Sequence, residues 1–152
     1  MAEVTTSRFT VGVFQDVEWA GRGVEALRGH GFMSESLTII AMESVEATEL
    51  VRRAMGKDGV RLDIKGLGPA VAAGSLVETL LGGDAGLVKK GLAATMRRAG
   101  FQPHDGMIFE TLTARGGVLV AIDSEPRAAD ALAALHAYGG GNAAIGAWAG
   151  RV

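Results

Sequence analysis

Residues 9–42, FTVGVFQDVEWAGRGVEALRGHGFMSESLTIIAM, place an amphipathic segment between two apolar runs. The alternation in FTVGVF predicts a strand over 9–14, and the continuous run SLTIIAM predicts a buried strand over 36–42. Apolar residues recur at helical spacing between them: Val17, Ala20, Val24 and Leu27. Asp16 precedes this helix and is a good N-cap. The segment therefore predicts a β-α-β unit of about the minimum length for a crossover.

The C-terminal third repeats this plan. GVLVAI predicts a strand over 117–122, a helix follows with Pro126 at an early position, and NAAIGAW predicts a last strand over 142–148. An offset of 108 residues aligns the two helices: Ala20 with Ala128, Val24 with Leu132, Leu27 with Leu135 and Gly31 with Gly139. Two amphipathic helices that each follow a strand align this way by chance, and a duplicated unit gives the same pattern. Duplication predicts an α/β (α+β) fold with a ferredoxin-like β-α-β core.

A linking region joins the first unit to the middle of the chain. Residues 43–65 predict a helix over 43–56 and then an edge strand at 60–64, VRLDI, in which apolar and charged residues alternate. We assign every element to a single domain that spans residues 1–152.

The middle of the chain is rich in glycine and alanine. Residues 66–101 predict a helical hairpin, in which Pro69 begins the first helix and Gly82 ends it. The second helix is predicted over 86–99, and a short helix over 102–116 leads to the third strand. The hairpin is the expected insertion between the two β-α-β units.

Composition excludes several classes of protein. The 152 residues include no cysteine, which excludes a disulfide scaffold, a thiol nucleophile and a Cys-ligated metal site. A net charge of −2 and an aromatic content of 5% argue against a basic or stacking surface, so no nucleic-acid partner is expected. Residues 1–5, MAEVT, resemble no secretory signal, and a cytoplasmic location is expected.

No catalytic or cofactor motif is predicted. Gly66-Leu67-Gly68 has Val71 where a dinucleotide-binding fingerprint needs a third glycine, and the chain has no P-loop. The available serines lie outside any G-x-S-x-G elbow: Ser34, Ser36, Ser44, Ser75 and Ser124. We therefore expect a protein that is not an enzyme and carries no cofactor.

The three histidines give weak support for a metal site. His30 and His136 lie near the ends of equivalent predicted helices, where a positive charge meets the helix dipole. His104 has Asp105 and Glu110 nearby, and such a set binds metals. The spacing matches no ligand motif, and Asp105 is explained as a favourable charge at a helix N-terminus. No metal is therefore predicted.

The predicted hairpin is the candidate contact surface. Small residues four apart allow close helix packing, as in Ala70 with Gly74 and Gly82 with Gly86. The expected interface consists of Ala70, Gly74, Leu80, Leu81, Gly82, Gly86 and Leu92. Because large apolar patches are rarely left bare, the hairpin either covers the sheet or meets the same hairpin of a second subunit. We favour a homo-oligomer or a docked protein partner, and the alternative is a hydrophobic ligand, a quinone or lipid, enclosed under the hairpin.

A basic cluster lies on the second predicted helix. It consists of Lys89, Lys90, Arg97 and Arg98. A solvated helix face explains it, and the alternative is peripheral contact with an anionic membrane or an acidic partner. Glu78 and Asp84 interrupt the apolar stretch before it, so a membrane-spanning helix is not expected.

The chain resembles the bacterial general stress protein 17M-like domain, the heat-induced stress protein family. The resemblance lies in VGVFQDVE at 11–18, VEALR at 24–28, HGF at 30–32, LTII at 37–40, GLGPAVAAG at 66–74 and GGVLVAI at 116–122. It implies a stress- or envelope-associated accessory protein without catalytic residues. A weaker resemblance is to the soluble part of a respiratory quinol-oxidoreductase membrane subunit.

The sequence departs from the family pattern in two places. The predicted helix over 43–56 and strand over 60–64 lengthen the link to the Gly-rich stretch, and the tail at 139–141 with Trp148 is not distinctive of the family. Both departures leave room for a specialised role. The expected function is structural or accessory, through self-assembly or partner docking, and the resemblance implies that it is stress-associated.

Overall fold

A computed structural model of the protein describes residues 9–123, 130, 133–135 and 144–145. Six strands form one sheet: β1 (Phe9–Phe14), β2 (Leu37–Met42), β3 (Val60–Ile64), β4 (Gly68–Gly74), β5 (Val118–Asp123) and β6 (Ala144–Ile145). Their order across the sheet is β3-β4-β2-β5-β1-β6, and every neighbouring pair is antiparallel. The fold is thus mixed α/β with an antiparallel sheet, as the predicted class requires.

Six α-helices connect and cover the strands. They are α1 (Val17–Gly29), α2 (Val45–Met55), α3 (Ser75–Leu81), α4 (Gly86–Lys90), α5 (Leu92–Thr95) and α6 (Pro103–Ala114). Short 3-10 turns occupy Ser34–Ser36, Gly82–Asp84 and Met96–Ala99. Residues 130 and 133–135 are also helical.

The sheet has a hydrophobic core on each face, because successive side chains of a strand point to opposite sides. One core joins Phe14, Ile39 and Val120 to α1, α2 and residues 134–135, which we call the first helical layer. The other joins strand residues such as Leu119 to α3, α4, α5 and α6, which we call the second helical layer. Strands buried on both faces carry continuous apolar runs, and all six residues of β1 are buried.

The first helical layer agrees with the sequence pattern. The Asp16 carboxylate accepts a hydrogen bond from the Trp19 N–H at 2.9 Å, and Ala20, Val24 and Leu27 are buried. In α2 the Ser44 hydroxyl accepts from the Ala47 N–H at 3.0 Å. Local caps and helical periodicity explain why these two helices could be predicted.

The first arm of the predicted hairpin is wrong. Residues 68–74 form strand β4 rather than a helix that begins at Pro69. β4 pairs with β2 on one side and β3 on the other, so backbone hydrogen bonds to two neighbours outweigh the helix preference of its alanines. The helix begins only at Ser75, after Gly74 turns the chain with a φ of 119°.

The second arm is broken into short pieces rather than one helix over 86–99. Gly91, with a φ of 98°, separates α4 from α5. A β-carbon at Gly91 would lie 2.8 Å from the Lys65 carbonyl oxygen, so the break also permits close approach of the backbone. The predicted Gly/Ala-rich helical hairpin is therefore replaced by a strand, three short α-helices and two 3-10 turns.

Several other expectations can be compared directly. The short helix predicted before the third strand is α6, and the predicted edge strand is β3. Gly66-Leu67-Gly68 joins β3 to β4, so it does not lead into a helix as a dinucleotide-binding loop does. Of the last predicted strand, over 142–148, residues 144–145 are described as β6 and the rest lies outside the described residues. The described residues also exclude Pro126, His136, Gly139 and Trp148.

Candidate functional site

The predicted contact surface is largely internal. Ala70, Leu80 and Leu92 are fully buried within one chain, in the same core as Ile40 and Leu119. Gly86 is also buried, Gly74 and Leu81 are half-buried, and Gly82 is exposed. The fully buried residues cannot offer apolar area to a second subunit. This part of the predicted interface is therefore wrong: the segment packs on the sheet of its own chain.

Direct packing also fills the space where an apolar ligand was considered. Leu76, Leu87 and Met96 from the second helical layer are 0% exposed, and they lie in one cluster with Phe9 and Leu119 from the sheet. The second helical layer and the sheet therefore contact each other directly through side chains at these positions.

Arg98 belongs to the fold rather than to a basic surface. Its guanidinium contacts the Asp84 carboxylate through two hydrogen bonds, of 3.0 and 2.9 Å. The same group donates to the Leu80 and Leu81 carbonyl oxygens at 2.9 and 3.1 Å, which satisfies the free C-terminal end of α3. The hydrogen bond from Arg98 lowers the pKa of Asp84 to about 2.

The rest of the basic cluster is divided. The Lys90 ammonium lies 3.9 Å from the same Asp84 carboxylate. Lys89 and Arg97 are exposed. The predicted four-residue basic surface thus loses Arg98 to an internal contact.

Within the part of the chain that the structure describes, no helix has both the length and the apolar character needed to cross a membrane.

The candidate chemical residues act mainly as structural groups. Ser44 caps α2, and the Ser34 hydroxyl donates to the Ala54 carbonyl oxygen at 3.1 Å. Ser75 begins α3, and its hydroxyl is buried without a hydrogen-bond partner among the described residues. Ser124 lies outside these residues. The hydrogen bonds of the described serine hydroxyls go to Arg28, the Ala54 carbonyl oxygen and the Ala47 N–H, and none joins a described serine to a histidine or a carboxylate as in a catalytic triad.

The histidines and the acidic residues near them in sequence do not form a metal site in the structure. His30 follows α1 and His104 lies in the first turn of α6, and both are exposed. The Glu110 carboxylate accepts a hydrogen bond from the Ala93 N–H at 2.8 Å and so caps α5. Among the described residues, no group of three or more His, Cys, Asp or Glu side chains could hold a metal ion.

Among the described residues no strand pairs with the outer side of β3, so one edge of the sheet is open there. Because alternate residues of an antiparallel strand face the same neighbour, one hydrogen bond sets the direction of the rest. The Pro69 carbonyl oxygen accepts from the Glu43 N–H at 3.0 Å, on the β2 side of β4. Ala70, the next residue, therefore faces β3, where it lies opposite Leu62. The backbone groups of Arg61 and Asp63 consequently point outward, away from the sheet.

The open edge has a defined end. The Lys65 N–H, which follows the same outward direction, donates to the Val88 carbonyl oxygen of α4 at 3.1 Å. Helix α4 therefore covers the edge beyond Ile64. The uncovered portion is the strand itself, Val60–Ile64, which we call the β3 edge.

The side chains of the β3 edge alternate between apolar and charged. Val60 is 57% exposed, Leu62 is partly buried against the second core, and Ile64 is fully buried there. Arg61 and Asp63 are exposed, and Arg61 forms an ion pair of 3.0 Å with Glu43. Charged residues on an edge are typical of strands that avoid indiscriminate pairing, so a partner must match their pattern.

Other hollows lie on the described surface, and two of them contrast with the β3 edge. His104, Met107, Ile108, Thr111 and Leu112 line an open hollow of about 350 Å³ on the outer side of α6. A groove of about 480 Å³ runs between α1 and α2, with three arginines and three glutamates along it. The hollow is apolar and the groove has balanced charge, so neither selects a ligand as clearly as the β3 edge selects a strand.

No protein-family model, curated protein or solved structure matches this chain. The sequence predicted the edge strand but placed the interface elsewhere. The signal that identifies the β3 edge is the charge order in VRLDI, in which a basic and an acidic residue stand on either side of Leu62.

Proposed function

We propose that this protein is a non-enzymatic accessory protein that works by associating with copies of itself. The observation that carries the proposal is the β3 edge, where outward backbone groups lie beside the exposed side chains of Val60, Arg61 and Asp63. Unpaired edge groups are a ready template for another strand. The association surface is therefore the sheet edge rather than the segment over 66–101.

The order of four strands supports a more specific description of the fold. β2, β5, β1 and β6 are consecutive in the sheet, and α1 connects β1 to β2. A ferredoxin-like sheet built from two split β-α-β units has this order and this antiparallel pairing. We propose that these strands are the duplicated core and that α2, β3 and β4 extend it. The extension supplies the open edge.

The stress-associated role rests on the sequence resemblance. An accessory role without catalysis is compatible with it, since most of the residues that carry the resemblance lie in the strands of the sheet and in α1. Peripheral membrane contact through Lys89 and Arg97 would be a separate activity on another part of the surface.

The test is the mass of the native protein in solution, measured by analytical ultracentrifugation over protein concentrations from about 1 to about 200 µM, which brackets a weak association. The chain mass is 15.6 kDa. We expect the average mass to rise with concentration towards twice that value. A mass that stays at 15.6 kDa throughout would contradict the proposal.

A further inference from the structure

The sequence of the β3 edge is self-complementary in the antiparallel direction. With a two-fold axis through Leu62, Arg61 of one copy lies opposite Asp63 of the other, and the reverse pair is formed at the same time. Val60 then lies opposite Ile64. Each charged residue meets its opposite and each apolar residue meets another apolar residue. A parallel pairing in register would instead place Arg61 on Arg61.

Resting on the self-association proposed above, we propose that two copies of the chain pair through their β3 edges about this axis. The sheets of the two copies then form one continuous antiparallel sheet. The partner is a second copy of this chain, because charge complementarity selects it.

The backbone supports the same register. Arg61 and Asp63 direct their N–H and C=O groups outward, as the hydrogen bonds at Pro69 and Lys65 indicate. In the proposed pair, Arg61 and the opposing Asp63 form a hydrogen-bonded pair and exchange both N–H···O bonds. Leu62 stands at the axis as a non-hydrogen-bonded pair, in which the side chains approach more closely.

The two faces of the joined sheet differ in chemistry. Leu62 and Ile64 lie on the face of the second core, so Leu62 side chains from the two copies meet at its margin. Arg61 and Asp63 lie on the opposite face, where Glu43 accompanies Arg61 at 3.0 Å. Apolar contact provides attraction and the charges fix the direction and register.

The size of the edge predicts a weak dimer. The strand has five residues, and α4 covers the edge beyond it at Lys65. Such a strip buries less area than the roughly 1,600 Å² of a standard stable interface. We therefore expect dissociation at low protein concentration.

Charge reversal tests the register directly. Arg61→Asp places aspartates opposite each other in its homodimer, and Asp63→Arg does the same with arginines. For each variant alone, the dissociation constant of the dimer should be at least about tenfold higher than that of the wild type, because like charges face each other across the strands. Mixed together, the two variants should recover a dimer that contains one copy of each, because every facing pair is again opposite in charge.

Two controls show whether a weaker dimer results from the facing charges rather than from unfolding or from the change in net charge. Arg115→Asp makes the same change of net charge at an exposed residue after α6, and should leave the wild-type dimer unchanged. Circular dichroism of each variant should match the wild type, since both substituted side chains are exposed. The double variant R61D/D63R restores opposite pairs within a homodimer and should dimerise more strongly than either single variant, although it lacks the ion pair between Arg61 and Glu43.

Asp63→Pro tests the backbone. Proline removes an N–H that points to the free edge while leaving the bonds from β3 to β4 intact, and edge strands tolerate it. We expect a folded monomer. If the wild type dimerises and both the charge variants and Asp63→Pro dimerise equally well, self-association stands but this interface is wrong. If the wild type is monomeric throughout, both proposals fail.

Discussion

The two helical layers differ in how the N-terminal ends of their helices are satisfied. In the first layer the caps are local: Asp16 accepts from Trp19, and Ser44 accepts from Ala47. In the second layer α4 has a local cap, since the Asp84 carboxylate accepts from the Gly86 N–H at 3.1 Å, but the caps of α3 and α5 come from distant parts of the chain. The Thr38 hydroxyl of β2 accepts from the Leu76 N–H at 3.0 Å, and Glu110 of α6 caps α5.

This difference follows from helix length. Every helix leaves free N–H groups at one end and free C=O groups at the other, so a layer built of short helices has more free ends for its size. Helices α3, α4 and α5 have 7, 5 and 4 residues, too few to be stable alone. Long-range contacts to the sheet and to α6 supply what these helices lack. The second layer should therefore tolerate changes at its contact points less well than the first.

The largest expected effect is at Gly74, where β4 turns into α3. A β-carbon there would overlap the Thr38 hydroxyl and the Leu37 carbonyl oxygen, and the φ of 119° disfavours any other residue. We expect Gly74→Ala to lower the free energy of unfolding by about 3 kcal/mol or more, measured by urea denaturation.

Gly83→Ala is the matched control in the same layer. A β-carbon at Gly83 meets no atom within 4 Å, so the free energy of unfolding should change by less than about 0.5 kcal/mol. Equal effects at the two glycines would show that the contact at Thr38 does not hold the second layer in place.

The next effect concerns the first layer, where two glycines lie on one helix. A β-carbon at Gly23 would overlap the fully buried Phe14 ring, including Cε1 at 2.8 Å, and Gly23→Ala should cost about 1–3 kcal/mol. At Gly21 the nearest atom is Leu50 Cδ1 at 3.9 Å, so Gly21→Ala should stabilise α1 by about 0.5–1 kcal/mol. Urea denaturation should therefore give opposite signs for the two, and equal signs would contradict the packing of Phe14 on Gly23.

The same division between local and distant contacts explains what the sequence could predict. Strands β1, β2 and β5 and helices α1, α2 and α6 carry their own periodicity and boundary residues, and the sequence predicted each of them. β4 could not be predicted this way because three of its central residues, Ala70, Ala72 and Ala73, have little strand preference of their own. Small side chains are needed in this strand because helices pack on both of its faces.

The candidate site was missed for a related reason. Small residues four apart indicate that two helices pack closely. The same spacing also places Ala70 and Gly74 on one side of a strand. The open edge depends on which strands are neighbours, and that order results from the whole sheet. The strand VRLDI was predicted, whereas its position beside an uncovered edge required the structure.

The smallest expected effect is electrostatic, and it is recognised by its dependence on pH. The pKa of Asp84 is lowered from 3.8 to about 2, chiefly by its hydrogen bond from Arg98, so the ionised carboxylate favours the folded state. This contribution is fully present above pH 3.8 and is lost as the pH falls through about 2. Asp84→Asn should therefore lower the urea midpoint modestly at neutral pH, and the gap to the wild type should narrow as the pH approaches 2.

Glu35→Gln is the control for this last change, because Glu35 is exposed and has no ion-pair partner among the described residues. Its stability difference from the wild type should stay nearly constant over the same pH range. A constant gap for Asp84→Asn as well would mean that the Asp84–Arg98 pair does not favour the folded state. The carbonyl bonds from Arg98 to Leu80 and Leu81 would then hold the end of α3 without help from the carboxylate.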